Sequence, residues 1–588
     1  MIFFAGVTAI LCVFGLGLLW PHRTPLPAGA TIWGYFVKAL YFSWIWFLIS
    51  FHTNLGDGAR LIALVLCTFV AMQVTAGRLP AVAASDEKLK FLSLRYLVMT
   101  IAFIAISFPA LTSFGTIFSV WDAVVSWNRW GVELSNNEYL PLTAAAYPIL
   151  WPAVWSLIYE AQGATNLWFV AKASIAAPLL ALGVLVTDQI KRPQLISGAM
   201  LALLVTLSIS SQTLYAVSGY MDLPLAMTGL AALLLLISAV EEISPERRNE
   251  LFMLAVVTSA IAMVTKQAGI IFAGIVGLCA LYEAFKKRIT FGRLVLYGLI
   301  VFFPLVSYLQ IYFGIENNAF GNFDYLNEVA DKTRGETGEF AYAVSLFQTS
   351  LPGALWPLLL VGVVLNLIFF RSYRGVIGLL ALAAGAVIFI IFARCCTYGI
   401  RNGYIVLSFA TASAFIGYSS AEAWVARRLP APLFAAPEAK IISLRAPLIA
   451  GLAAALIGVS MLSIEWPEER LVEYDREIRP AQIGYKFPNQ FLLDHGGMVE
   501  KSRLLTTPYM IAKYLPITED KFFYCPQTNA LCLERAKNQI GAGEILAFSP
   551  VNFENAESLA FIEESLKRGK AKVIAKSGPL TLYVFKID

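Results

Sequence analysis

The stretch around which this chain is organised reads Trp121-Asp122-Ala123-Val124-Val125-Ser126-Trp127-Asn128-Arg129-Trp130. It opens a polar and aromatic segment, residues 114–165, that separates two long apolar runs. Turning the chain between two helices needs only a few residues, so a connection of this length is typical of a functional loop. The sequence therefore predicts one wall of an active site at the outer edge of a membrane, with Asp122 as the group that performs chemistry.

Composition points to a membrane protein with many spans. The 588 residues are 58% hydrophobic and 14% charged, and the mean hydropathy is +0.69, whereas soluble domains carry about a quarter charged residues. The net charge of +5 is small for the length and gives no reason to expect nucleic acid as a partner. The first apolar run, residues 2–20, has no basic segment before it, so we expect it to be retained as a helix.

Apolar runs of roughly the length needed to span a bilayer, about 20 residues, recur about fourteen times. The predicted segments are 2–20, 31–51, 61–75, 94–114, 167–186, 195–210, 223–240, 251–264, 268–285, 294–313, 351–370, 376–393, 404–418 and 447–464. The predicted fold class is an α-helical polytopic membrane protein of about fourteen transmembrane helices, followed by a small C-terminal α/β domain.

Basic residues are concentrated in one alternating set of the connecting loops, which the positive-inside rule assigns to the cytoplasm. They are Arg78, Lys88, Lys90, Arg95, Lys191, Arg192, Arg247, Arg248, Lys286, Lys287, Arg288, Arg293, Arg371, Arg374, Arg427, Arg428, Lys440 and Arg445. The opposite set of loops, residues 114–165 included, then faces outward. We expect a multi-pass protein of the inner (plasma) membrane whose active site and C-terminal domain are exocytoplasmic, that is, periplasmic.

From residue 465 onward the composition becomes that of a soluble domain large enough for one small core. The predicted strands are 503–507, 522–524, 544–548, 572–575 and 580–585, and the predicted helix is 556–568. Cys525 and Cys532 are close enough in sequence for a local disulfide, and two free thiols are the alternative. Three scattered histidines and the lack of a CxxC pair argue against a His/Cys metal site, whereas a carboxylate-bound metal stays compatible with the composition.

Basic residues on the outward side run against the orientation bias and mark candidate anion-binding positions. Lys266 stands between two helices with almost no loop, and Arg394 and Arg401 bracket a short turn that leads into Tyr404. Such cations can hold a phosphate, Arg bidentately and Lys as a point charge. Snorkelling to lipid headgroups, or pairing with nearby acids, is the alternative for each of them.

Acids supply the second half of the predicted site. Partial desolvation beside apolar residues makes Asp122 a better proton acceptor, and an ion pair with Arg129 is the alternative. Asp222 opens a helix from the outer side and is either its N-cap or a member of the site. Solvated faces are predicted for three weaker candidates, Glu133, Glu138 and Glu160.

Aromatic side chains crowd the same outer loop. Trp127, Trp130 and Tyr147 suit stacking on sugar rings, and an interfacial aromatic belt is the alternative.

A long polar segment, residues 314–350, is predicted to be a lid. Lys38 and Lys172 fall inside predicted spans, near enough to helix ends to snorkel.

In this order along the chain, the motifs resemble the GT-C superfamily of membrane glycosyltransferases, nearest the protein-mannosyltransferase and aminoarabinose-transferase branch. The resemblance extends from about residue 94 to the end. The motifs that carry it are the loop acid Asp122 followed by Tyr147-Pro148, the helix start Tyr-x-Asp-Leu-Pro-Leu-Ala at 220–226, the turn Thr-Lys-x-x-Gly at 265–269, Arg401 near Tyr404, and the soluble C-terminal domain. It implies a catalytic region 94–464, additional N-terminal helices 1–93 and an outer α/β domain 465–588.

The resemblance also implies an activity: inverting transfer of a sugar from a polyprenyl-phosphate donor to a glycan, lipid or protein acceptor, with no cofactor. Asp122 matches the family's loop acid, which acts as base or positions the acceptor. Lys266 and Arg401 match the family's basic positions that engage the carrier phosphate. With Arg394 and Tyr404 they are the predicted donor-phosphate residues, and the predicted substrate-binding residues are Trp127, Arg129, Trp130, Tyr147, Tyr220 and Asp222. About three helices precede the first loop here instead of one, and Asp122 is followed by Ala where many relatives have Asp-Glu, so no metal is assigned.

Other functional classes compete with this reading. A transporter or flippase for a lipid-linked glycan predicts ionisable residues at mid-membrane and inverted repeats. A glycan ligase or polymerase would share the donor chemistry and differ in donor size. A C-terminal binding module with a membrane anchor would need far fewer helices than the sequence predicts.

Overall fold

The computed structural model describes two sets of residues, one in each part of the chain. They are 2–53, 57–76, 94–112, 118, 123–135, 148–163, 168–190, 195–210, 219–314, 339–395 and 400–428, and then 505–507, 522–524, 529–540, 543–550, 556–577 and 580–587. The chain divides into two compact units, Met1–Ile464 and Glu465–Asp588. The division falls where the composition changes.

The first unit is helical, because in long apolar runs the backbone N–H and C=O groups have only one another as partners. Its described α-helices are α1 Ile2–Gly15, α2 Ala28–Thr53, α3 Asp57–Ala76, α4 Leu94–Thr112, α5 Arg129–Ser135, α6 Leu150–Gln162, α7 Trp168–Ala173, α8 Ala176–Thr187, α9 Leu195–Ser210, α10 Asp222–Glu241, α11 Pro245–Thr265, α12 Ile270–Phe285, α13 Phe291–Gly314, α14 Glu339–Ser350, α15 Leu355–Ile368, α16 Tyr373–Cys395 and α17 Tyr404–Ala426. A π-helical turn, Ala123–Asn128, leads into α5, and a 3-10 turn, Ile400–Gly403, leads into α17.

Several of these helices are long and apolar enough to cross a membrane, which indicates a membrane-associated protein. In the described part of the chain there are seven: Ala28–Ile49, Val170–Thr187, Asp222–Glu241, Pro245–Thr265, Gln267–Phe285, Tyr373–Arg394 and Tyr404–Ala426. Two further helices, Phe340–Ser350 and Leu355–Ile368, are separated by a break at which the chain bends by 114°. They count as an eighth candidate span if the pair is one broken span. The last predicted span, residues 447–464, lies outside the described residues.

The polar segment 114–165 contains more helix than the sequence indicated. Instead of a plain loop, the described residues form the π-helical turn, α5 and α6. Almost all of α6 is buried, and Trp151, Trp155 and Tyr159 fill the space around it. The predicted lid is likewise partly helical, since α14 occupies its end.

The N-terminal helices belong to the same compact unit as the rest of the bundle. α1 and α3 pack against α6, while α2 packs against α8 and α11. Asp188, at the end of α8, accepts a hydrogen bond from the backbone N–H of Ala30 at 2.9 Å, so it satisfies a donor at the start of α2. Glu422 does the same for α9, because its carboxylate accepts from the N–H groups of Ile196 and Ser197.

A buried polar cluster joins α2 to α11. Lys38 is fully buried, and its Nζ donates to the carbonyl oxygen of Trp20 at 3.0 Å and lies 3.6 Å from Glu250 Oε1. His22 Nδ1 lies 3.2 Å from both Lys38 Nζ and Glu250 Oε1. The prediction that Lys38 snorkels is therefore wrong, because a carboxylate inside the bundle holds its charge. Lys172 is also buried.

The second unit contains a five-stranded sheet in the order β2-β1-β3-β5-β4. Its described elements are β1 Leu505–Thr507, β2 Phe522–Tyr524, α18 Ala530–Ile540, β3 Gly543–Pro550, α19 Ala556–Lys567, β4 Ala571–Ser577 and β5 Leu580–Ile587. β1 runs parallel to β2 and β3, whereas β5 is antiparallel to β3 and β4. Ile545, Ile562 and Phe585 form its core. Cys532, on a helix that the sequence did not predict, is disulfide-bonded, and Cys525 lies outside the described residues.

We predict that Gly417→Ala destabilises the first unit by about 1–3 kcal/mol. A Cβ on Gly417 would lie 1.9 Å from the carbonyl oxygen of Gly362, so α17 and α15 would have to separate. Gly274→Ala is the matched control, since its Cβ would meet nothing within 4 Å. Unfolding of both variants in mixed detergent micelles measures the difference, and equal stability would contradict the close backbone approach.

Candidate functional site

Lys266 is held in the tight turn between α11 and α12. Its backbone is extended, and its N–H donates to the carbonyl oxygen of Ala262 at 3.2 Å. The turn closes on Gly269, where an added Cβ would lie 2.1 Å from the same carbonyl oxygen. Only glycine permits so close an approach, which explains why Lys and Gly stand three residues apart in this turn.

Asp222 is the first residue of α10 and forms an ion pair with Lys266. The pair is mostly buried, with 9% of the Asp222 side chain and 19% of the Lys266 side chain exposed. Met221 holds the N-cap position of α10, without a side-chain cap hydrogen bond. The prediction that Asp222 is the N-cap is therefore wrong, and its membership of the site stays a prediction.

Arg401 comes from a third region of the chain, the 3-10 turn before α17. Its guanidinium carbon lies 3.9 Å from the centroid of the Tyr220 ring, two residues before Asp222. This is the distance of a stacked cation–π contact. Tyr404, the first residue of α17, is buried. The ends of α10, α11 and α17 thus bring four of the predicted site residues, Lys266, Asp222, Tyr220 and Arg401, into two adjoining contacts.

The segment that follows Asp122 lies against this cluster. Gly219 has a φ of +103°, and a Cβ there would lie 2.7 Å from the Cβ of Ala123 and 2.5 Å from Phe118 Cδ1. Ala123 and Phe118 are both fully buried. Asp122 itself lies outside the described residues.

The structure does not support all the predicted substrate contacts in the outer loop. Trp127 and Trp130 are 4% and 2% exposed, and their ring centroids are 5.0 Å apart in an edge-to-face arrangement. This burial contradicts the prediction that they offer open faces to a sugar, because their neighbours are other core side chains. Arg129 begins α5, but its side chain and all of Tyr147 lie outside the described residues.

The structure also places two further candidate residues, Arg394 and Glu160. Arg394 lies in the last turn of α16 with an exposed side chain. The side chain of Glu160 is fully buried and paired with Arg60 at 3.2 Å, so the prediction of a solvated face for Glu160 is wrong. Of the other acids, the Glu133 side chain and all of Glu138 lie outside the described residues.

Sequence reasoning missed the contacts that hold the loop in place. Tyr159 donates a hydrogen bond to the side-chain oxygen of Asn128, and both residues are about 1% exposed. The Phe118 and Trp155 rings pack at 4.7 Å. The signal available in the sequence was a run of large aromatic side chains, which indicates a buried helix as well as it indicates a membrane interface.

An apolar cavity lies beside the polar cluster. Its volume is about 30 Å³. It lies between α8, α9, α10 and α17, and its lining includes Leu223, one residue after Asp222, and Tyr404. The Ser408 hydroxyl on its wall donates to the carbonyl oxygen of Ala226 at 2.7 Å, which leaves the lining mostly apolar.

The two sides of the site therefore differ in chemistry. Among the described residues, the polar cluster has two cations, Lys266 and Arg401, and one carboxylate, Asp222. Next to it the cavity walls are apolar. Such an arrangement suits an amphipathic ligand with an anionic head. In the described ranges, no three His, Cys, Asp or Glu side chains are grouped as metal ligands.

Comparison of the chain with protein-family models, with curated proteins and with solved structures found no match. The fold and the site therefore define the protein by class. It is a mainly helical, membrane-associated protein with a second, α/β unit, and its helical unit carries a cation- and aromatic-rich cluster beside an apolar cavity.

We predict that Lys266→Met destabilises the helical unit by about 2 kcal/mol, because the mostly buried Asp222 carboxylate loses its cation. Adding Asp222→Asn should restore most of that loss, since no buried charge then remains. Unfolding in mixed micelles gives the double-mutant cycle. Neutralising the exposed Arg568–Glu564 pair, 68% and 54% exposed, is the control with little expected effect. A double variant no more stable than Lys266→Met would contradict the coupling.

Proposed function

We propose that the protein is a glycosyltransferase that moves a sugar from a polyprenyl-phosphate donor to an acceptor on the outer face of the membrane. One observation carries the proposal. The ion pair of Lys266 with Asp222 and the stack of Arg401 on Tyr220 meet beside the segment that follows Asp122, next to an apolar cavity. A lipid-linked sugar phosphate has the matching parts: an apolar chain, an anionic phosphate and a polar sugar.

In this proposal the donor binds with its phosphate at the cations and its chain among the helices. Lys266 and Arg401 hold the phosphate charge, and Arg394 adds a cation from the end of α16. The lipid chain next to the phosphate lies against the apolar residues that line the cavity beside Tyr404. Asp222 keeps the Lys266 ammonium in place, and Tyr220 does the same for the Arg401 guanidinium plane.

The chemistry then needs no nucleotide and no added oxidant or reductant. The acceptor hydroxyl oxygen forms a bond to the anomeric carbon, and the bond from that carbon to the phosphate oxygen breaks. Polyprenyl phosphate leaves with the bonding electron pair, so its negative charge grows in the transition state beside Lys266 and Arg401. Asp122 accepts the hydroxyl proton, or orients the acceptor while the proton passes to solvent.

Location and partners follow from the same proposal. The protein spans the inner membrane many times, with the site and the second unit on the exocytoplasmic side. The partners are the lipid-linked donor, a glycan, lipid or protein acceptor, and membrane lipid. The family assignment is the GT-C superfamily, supported by the motifs at 220–226 and 265–269 and by the contacts that those motifs make.

The central prediction is that Asp122→Asn lowers kcat about 10²- to 10⁴-fold. Purified wild type and variant are assayed for release of polyprenyl phosphate from a panel of polyprenyl-phosphate sugars, with membrane extract as acceptor. Lys266→Met should instead weaken donor binding and raise the donor KM. Glu246→Gln is the control acid, because Glu246 is exposed at the start of α11, away from the cluster.

Equal turnover by wild type and Asp122→Asn would remove Asp122 from the mechanism. A variant with normal kcat and raised KM would make it a binding residue only. If wild type turns over none of the donors, the transferase proposal fails.

A transporter or flippase for a lipid-linked glycan is the second candidate, and one observation favours it. The buried cluster of Lys38, His22 and Glu250 places ionisable groups inside the helical unit, where transporters carry proton or ion relays. Wild type reconstituted in vesicles would then move a fluorescent polyprenyl-phosphate glycan between leaflets, and Lys38→Met would stop it. A ligase or polymerase is distinguished in the transferase assay by release from donors with longer glycans.

The proposed orientation gives a separate prediction. A periplasmic phosphatase fused after Asp588 should be active, and a fluorescent protein that folds only in the cytoplasm should be dark there, because the second unit is proposed to lie outside. The same reporters fused after Glu242, between α10 and α11, should give the opposite result. Matching signals at both positions would contradict the orientation.

A further inference from the structure

Helix α6 lies between the N-terminal helices and the segment that follows Asp122. α1 and α3 pack against α6, and so do α5 and the π-helical turn. Accordingly, eleven of its residues are buried, Trp155 and Tyr159 among them. If α6 shifts, the helices packed on both sides of it must shift as well, because close-packed side chains leave no empty space between them.

On the N-terminal side, α6 is held by charge and by shape. Arg60, near the start of α3, lies 3.2 Å from Glu160, and 9% and 0% of the two side chains are exposed. Gly6 of α1 packs against Gln162, whose side-chain atoms lie 2.9 Å from where a Cβ on Gly6 would be. A buried carboxylate with its cation removed is costly, so this pair fixes the position of α3 against α6.

On the other side, α6 contacts the π-helical turn and Phe118, which lies at the entry to α10. Tyr159, the neighbour of Glu160, donates to Asn128 in the π-helical turn that begins directly after Asp122. One turn earlier, Trp155 packs on Phe118, which contacts Gly219 at the entry to α10. The indole N–H of Trp155 donates to Ser174 at 3.1 Å, which fixes the ring.

We propose that the N-terminal helices α1–α3 are the back wall of the active site, and that Arg60 and Glu160 are positioning residues that hold the π-helical turn Ala123–Asn128 against the entry to α10. The inference deepens the proposed function and rests on it. It assigns a role to α1–α3, which stand before the region that resembles GT-C enzymes.

The route from the ion pair to the loop is short. Glu160 and Tyr159 are consecutive, so a shift of α6 caused at Glu160 is passed to Asn128 without an intervening flexible element. A base displaced by about 1 Å from the acceptor costs about 10²-fold in rate. The proposed donor-phosphate residues lie at the start of α10, in the turn after α11 and in the turn before α17, whereas Arg60 and Glu160 lie on α3 and α6. Loss of the pair should therefore change kcat and leave the donor KM unchanged.

The test uses the full-length protein in detergent or nanodiscs. Replacing both members, Arg60→Met with Glu160→Met, removes the pair without leaving a buried charge, so the protein can still fold. We expect kcat to fall by about 10- to 100-fold with unchanged donor KM. The exchanged pair, Arg60→Glu with Glu160→Arg, should recover at least half of the lost activity. The control is Arg374→Met with Glu241→Met, which removes an ion pair between α16 and the far end of α10.

A second readout does not depend on enzymatic activity. Hydrogen exchange of peptides covering residues 123–135 should rise in the neutral double variant, while exchange in α12, residues 270–285, should stay as in wild type. The control double variant should leave residues 123–135 unchanged. This comparison can be made even if no transferase activity is found, so failure of the proposed function and failure of the positioning role are distinguishable.

Two results would overturn the inference. One is a folded double variant with wild-type kcat and wild-type exchange in residues 123–135. The other is faster exchange throughout the helical unit together with an equal change in the control variant, which would mean that the pair contributes only to general stability.

Discussion

The cost of placing a charge among apolar helices is the constraint that the first unit obeys throughout. Burying an ionised side chain costs several kcal/mol, and an opposite charge with further hydrogen bonds offsets that cost. The described helices accordingly carry charges in pairs that join distant parts of the chain: Arg60 with Glu160, Lys38 with Glu250, Lys266 with Asp222. Hydrophobic packing is non-directional, so these pairs specify neighbouring helices in a way that packing alone does not.

The exposure of each buried ion pair distinguishes a pair that can bind a ligand from a pair that only connects two helices. Lys38 and Glu250 are 0% and 4% exposed, so an incoming anion would have to open the bundle to reach that cation. Lys266 and Asp222 keep 19% and 9% of their side chains exposed, and Arg401 stands beside them. Partial exposure lets a phosphate approach while the protein still fixes the cation's position. Exposure, more than the presence of charge, therefore decides which cluster we assign to the donor.

The sequence predicted the elements of secondary structure that depend on residues close together in the chain. Run length and hydropathy located the apolar helices, alternation located the five strands, and the short break between two apolar runs located the Lys266 turn. They did not predict α6, since its aromatic side chains suit a core and a membrane interface equally well. The burial of Trp127 and the pairing of Glu160 with Arg60 depend on contacts between segments far apart in sequence, which no local period records. For Asp122 the sequence remains the only direct argument.

The buried polar residues of α6 are explained by its contacts with the N-terminal helices. A helix of thirteen residues with almost no exposed surface needs neighbours on every side, and the segment after Asp122 covers only one of them. Without α1–α3, the buried Glu160 carboxylate would lose the Arg60 cation, and Gln162 would lose its contact with Gly6. If α1–α3 had no role in packing, the side of α6 that they cover would be expected to carry only apolar residues. The buried acid therefore argues that α1–α3 are part of the site's construction, and that a protein lacking them would need an uncharged residue where Glu160 stands.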